Sequence, residues 1–131
     1  MEFKKGSFMA LHSVGKGKNE NDFPQGTVFG KNRYGDKLAR VPTDAILYGT
    51  YAIHKDGSAK QGDWTVSDVW SGMAIQYFAK RKQAKYFVTE VRKLVGGAFP
   101  ITSHSEWDYA PIMDFIDMPH FIEILKEARA L

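Results

Sequence analysis

The run His104-Ser105-Glu106-Trp107-Asp108 concentrates the side chains best suited to chemistry. In an extended segment side chains alternate, so His104, Glu106 and Asp108 would share one face. Imidazole with carboxylates suits zinc, manganese or iron, and Asp114, Asp117 and His120 follow closely. The spacing matches no named motif such as H-E-x-x-H, and polar loop capping accounts for it as well; no metal is expected. The same three residues form the candidate catalytic group. An imidazole titrates near physiological pH and an adjacent carboxylate orients it for proton transfer. His12 and His54 offer the same chemistry elsewhere. Neither G-x-S-x-G nor G-x-x-x-x-G-K-[ST] occurs, and no cofactor is expected. The chain of 131 residues has no cysteine, which excludes thiolate nucleophiles, thiolate metal sites and disulfides.

A second set is basic. Lys80, Arg81, Lys82, Lys85, Arg92 and Lys93 lie within a segment of helical periodicity, off its apolar stripe. Arg81, Lys85 and Arg92 fall on one surface line, and with Lys93 they form a candidate phosphate-binding ridge. Tyr34, Tyr77 and Tyr86 are available to stack on bases. A third set is aromatic: Trp64, Trp70 and Trp107 are anchors of the kind enriched at interfaces.

Charge is divided unevenly. The net charge is +3, yet from Phe99 onward Glu106, Asp108, Asp114, Asp117, Glu123 and Glu127 face only Lys126 and Arg129. A basic body with an acidic tail steers anionic partners and favours head-to-tail self-association, so a homo-oligomer is one expectation.

These residues must be held by a small number of elements. The length suits a single domain over 1–131. Nine Phe, six Tyr and three Trp exclude a disordered chain. Residues 1–37 read as loop-rich and mobile, with glycines at 15, 17, 26, 30 and 35 around Thr27-Val28-Phe29. Glu2-Phe3 and Gly6-Ser7 have the character of cloning remnants, which makes Met9 an alternative native start. Ala45–His54, Trp64–Trp70 and Met73–Phe78 read as strands, joined by turn signals at Lys55-Asp56-Gly57, Gly62-Asp63 and Ser71-Gly72. In Lys80–Val95 the apolar residues Ala84, Phe87, Val88, Val91 and Val95 make one helical stripe, ended by Gly96-Gly97. Ala98–Thr102 reads as a short strand, and Trp107–Met118 as one or two helical turns. Pro119 suits the first turn of a last helix with the stripe Phe121, Ile124, Leu125, Ala128 and Leu131. The expected fold is α+β: a three-stranded antiparallel meander packed by one amphipathic helix, with a C-terminal helix.

Trp64-Thr65-Val66, Phe78, Ala84 and Phe87 give residues 45–95 a likeness to a known arrangement. The stretch resembles the small βββα DNA-binding domains of the plant AP2-type and integrase arm-binding families. In those domains a tryptophan lies in a middle strand and an aromatic precedes an alanine-bearing helix. The resemblance implies DNA read by basic residues on the sheet; the matching strand here offers Ser67 and Asp68. Trp64-Thr65-Val66-Ser67 followed by Ser71-Gly72 also resembles short bacteriophage proteins of unassigned function.

The expected function is binding rather than chemistry: a small accessory or inhibitor-type protein, of phage-like character, whose partner is a protein or a nucleic acid. The alternatives are a βββα nucleic-acid binder using Arg81, Lys85, Arg92 and Lys93, and a small enzyme built on His104, Glu106 and Asp108. No apolar run approaches the ~20 residues of a membrane span, and Phe8-Met9-Ala10-Leu11 is too short for a signal-peptide core. A cytoplasmic location is therefore expected.

Overall fold

The computed structural model describes residues 2–15, 17–55 and 64–131. The turn signals over 56–63 lie outside the described residues. The expected α+β class is found, with two helices and an antiparallel sheet. The sheet is larger than a three-stranded meander. It has six strands, in the order β1 (Lys4–Ser13), β3 (Lys37–Tyr48), β4 (Tyr51–Lys55), β5 (Trp64–Asp68) and β6 (Ala74–Phe78), with β2 (Val28–Lys31) also paired to β3.

Two local features explain the difference. The apparent strand Ala45–His54 is a hairpin, because Gly49 takes φ 60 and turns the chain between Tyr48 and Tyr51. Glycine at the first central position is what such two-residue turns require. The first 37 residues, expected as loops, supply β1 and β2. Strand β1 pairs with β3 from Lys4↔Leu47 to Ser13↔Leu38. Residues 3–8 belong to this fold: Phe3 stacks on Tyr48 at 4.4 Å, and Phe8 is buried.

Strand β3 is shared. Its first four residues pair with β2 and its last three with β4, on the edge away from β1. Between them Val41–Ala45 pairs only with β1. Pro42 sits in that interval, where a missing N–H is tolerated.

Helix α1 (Arg81–Val95) covers one face of the sheet. Ala84, Phe87, Val88 and Val91 are fully buried against Tyr51, Ile53, Val66 and Phe78, as the stripe predicts. Each large apolar side chain buried this way contributes about 1.5–3 kcal/mol. Gly96, at φ 76, ends the helix as expected. Helix α2 (Met118–Arg129) packs Phe121, Ile124 and Ala128 into the same core, with Phe121 edge-on to Phe87 at 5.8 Å. Asp117 caps its N-terminus and Pro119 occupies its first turn. The buried Gln83 ties the two helices together: its amide donates to the carbonyls of Arg129 and Leu131 while its oxygen accepts from Lys80 N–H. The strand expected at Ala98–Thr102 is shifted to β7 (Ile101–Ser105), which forms a separate hairpin with β8 (Asp108–Pro111); of the helical turns expected over Trp107–Met118, one short turn is found, at Met113–Phe115.

The other face of β4–β5 is closed by β1. The ring of Phe8 lies 5.0 Å from that of His54, and Phe8 and Ala10 pack with Ala45 and Ala52. The sheet curls far enough that the turn after β5 reaches the outer edge of β1, where Leu11 N–H donates to the Gly72 carbonyl at 2.9 Å. Asp68 shapes this turn, accepting from both N–H and Oγ of Ser71 at 2.8 Å.

Candidate functional site

The residues 104–108 do not form one extended segment. Ser105 pairs with Asp108 across the β7–β8 turn, which puts Glu106 at the tip. His104 and Glu106 are exposed, whereas the Asp108 carboxylate is engaged in holding the hairpin. It accepts from Ser105 Oγ at 2.6 Å and from Arg33 N–H at 2.8 Å. The Ser105 hydrogen bond, aided by the Arg33 amide, holds its pKa below the usual carboxylate value despite partial burial. No group of three or more metal-ligating side chains occurs among the described residues.

The lowered pKa has a definite pH signature. The native state binds fewer protons than the unfolded chain between the depressed value and the ordinary aspartate range. The carboxylate's contribution is therefore complete above the ordinary range and is lost as pH falls through the depressed value. Trp107 fluorescence is expected to report release of the hairpin in that acid window for the native protein. In Asp108→Asn the acid step should be missing, and an identical acid profile in the two proteins would refute the assignment.

His54 forms an imidazole–hydroxyl pair with nucleophile-like geometry. Its Nε2 lies 2.8 Å from Ser67 Oγ, and its Nδ1 is 3.2 Å from the Lys55 carbonyl. Ser67 is 1% exposed and His54 4%, so no substrate reaches the pair. It is a cross-strand polar contact beneath Phe8. Asp68 and Ser67, which match the DNA-reading strand of the βββα families, are likewise buried. With α1 on one side and β1 on the other, the sheet presents no open face there.

The three tryptophans have three different settings. Trp107 is a partly buried anchor: its indole packs on Gly30 of β2, where a Cβ would stand 2.0 Å from the ring. The Arg40 guanidinium lies over the same ring at 4.5 Å and donates to Tyr109 Oη at 2.7 Å. Trp70 is 81% exposed at the β5–β6 turn. Trp64 is half-buried at the start of β5.

Around Trp64 the structure assembles a basic cleft. It opens where β3 has parted from β4, along the interval paired only with β1, and has a volume of about 740 Å³. Trp64, Pro42, Ala45, Ile46 and Ile53 supply its apolar lining. Lys5 from β1, Lys55 from β4 and Arg81 from α1 supply positive charge, against the single carboxylate of Asp44. Lys55 Nζ lies 4.8 Å from the Trp64 ring centre and the Arg81 guanidinium 5.9 Å. Lys85, one helical turn on, sits 5.1 Å from the Phe3 ring. Its neighbour Tyr86 faces away, bonded to the carboxylate of Glu127, which raises the phenol to about 12.

The sequence-predicted ridge on α1 is thereby divided. Arg81 lines the cleft, and Lys85 lies one helical turn from it over the Phe3 ring. Arg92 and Lys93 lie at the far end of α1, about 16 Å further on at 1.5 Å per residue. There Lys93 pairs with Glu90 at 3.2 Å, and Arg92 is half-buried. Lys5 and Lys55 were absent from the sequence-predicted set because the cleft is made by the parting of two strands, which leaves no local signal.

No family description, curated protein or solved structure matches this chain in comparison. Among the described residues no helix is long and apolar enough to cross a membrane.

Proposed function

We propose that the protein is a non-catalytic binder of single-stranded nucleic acid. The observation that carries this reading is the convergence of Lys5, Lys55 and Arg81, from three separate elements, on the half-buried indole of Trp64. A positively charged groove with an aromatic platform is how sequence-tolerant single-strand binders work: cations follow the backbone while bases stack. The cleft also favours a single strand over a duplex. Trp64 is recessed, and stacking needs a base free to turn out of its helix. Lys85, one helical turn beyond Arg81, extends the positive surface along α1.

The accessory or inhibitor-type role fits this reading, since the chain then acts by occupying a strand. The test is titration with a labelled single strand and the corresponding duplex at low and near-physiological salt. Binding of the single strand that weakens steeply with salt is the expected result. Equal affinity for both forms would overturn the single-strand assignment, and no binding at low salt would overturn the reading altogether.

A further inference from the structure

The chain carries a second surface whose character is the converse of the cleft. At the start of α2, Met113, Phe115, Met118 and Ile122 are exposed, Phe115 at 74%. Met118 and Ile122 are four residues apart and share one line of the helix. Asp114 and Asp117 are interleaved with them and also exposed. The inward stripe of α2, Phe121, Ile124 and Ala128, is already committed to the core, so this outward set has no intramolecular partner among the described residues.

We infer that the acidic, apolar end of α2 in one copy seats in the basic, apolar-lined cleft of a second copy. The argument is complementarity in both respects. One surface offers Phe115, Met118 and Ile122 beside Asp114 and Asp117. The other offers Trp64, Ile46 and Pro42 between Lys5, Lys55 and Arg81. Two different patches meeting make a heterologous contact, which extends head-to-tail and does not stop at a two-fold dimer. Because the neighbour's carboxylates would occupy the positions of phosphates, self-association and strand binding exclude one another. The contact uses the cleft described above but does not depend on nucleic acid being its ligand.

The test uses two double variants of the full chain, all four positions being exposed or nearly so. Phe115→Ser with Ile122→Ser removes the end and keeps the cleft. Lys55→Glu with Arg81→Glu removes the cleft and keeps the end. By sedimentation velocity at low salt, the native protein is expected to grow in mass with concentration. Each variant alone should be monomeric, and an equimolar mixture should give a one-to-one dimer that grows no further. A native protein monomeric at every concentration would overturn the inference. So would a mixture that fails to dimerise while the native protein self-associates, since that marks contact between identical faces. Circular dichroism checks the helices of each variant, and Met118→Lys provides a second end variant. Titrating the monomeric end variant with a single-stranded oligonucleotide bears on the nucleic-acid reading alone, so the two proposals fail separately.

Discussion

Exchange of Lys55 and Arg81 for glutamate is expected to lower affinity for a single-stranded oligonucleotide by about 100-fold or more at low salt. Both side chains sit beside Trp64 in the cleft, and reversal turns two attractions for phosphate into repulsions. The dependence of log affinity on log salt should flatten by about 1.4, at about 0.7 for each single-strand phosphate that is no longer neutralised. Trp64→Ala should behave differently. It removes a stacking platform worth about 1–3 kcal/mol per base but no charge, so affinity falls while the salt slope stays. The two signatures together separate groove from platform. Trp64 is half-buried and also packs against the helix-side core, so its variant needs an unfolding curve beside the titration. Reversal of Arg92 and Lys93, at the far end of α1, should change binding much less. If that pair mattered as much as Lys55 and Arg81, the cleft would not be the site.

The second large effect concerns the fold. Gly72→Ala is expected to destabilise the protein by about 2–4 kcal/mol, measured by urea unfolding. Gly72 has φ +74, and an added Cβ would lie 2.3 Å from the carbonyl oxygen of Met9 and 2.9 Å from the amide nitrogen of Leu11. Both are backbone atoms of β1, which cannot rotate aside as a side chain does. The turn must therefore lift, breaking the bond from Leu11 N–H to Gly72 and opening the curled sheet. Gly35→Ala is the control. Gly35 has φ +84 with nothing near its Cβ position, so it isolates the cost of backbone conformation. Equal losses in the two variants would show that the approach of the turn to β1 carries no stability.

The helices were legible because their information is local. Ala84, Phe87, Val88 and Val91 declare a buried face within three turns, and Gly96 and Pro119 mark an end and a start. The strands from Trp64 to Phe78 were legible for the same reason. The hairpin at Gly49 was hidden, since Ala45–His54 alternates as a single strand does and one glycine interrupts it. β1 was hidden more deeply. Its partner lies more than twenty residues away, and its inward residues Phe8 and Ala10 are too few to announce a face. The same division holds at the site. Trp64 and Arg81 were named separately from their types, but joining them with Lys5 and Lys55 needs the register across β4 and β5 and the parting of β3 from β4. Trp107 was read as an interface anchor because its seat, Gly30, is remote in sequence.

The sharing of β3 also orders events in time. On a growing chain β1 emerges first and has no partner until residues 38–47 follow it. Its second attachment, at Gly72, arrives later still. The unit from β4 to α1, by contrast, is built from neighbours in sequence. Long-range closure is slow because chain entropy must be lost before any contact forms, so β1 docks after the β4–α1 unit. In pulse-labelling hydrogen exchange during refolding, amides of α1 are expected to be protected before those of β1, and the reverse order would contradict this sequence of events. Lys5 travels on that later-docking strand. The cleft around Trp64 is thus completed only when β1 has docked, and a folding chain with α1 already in place still lacks the Lys5 side of the site.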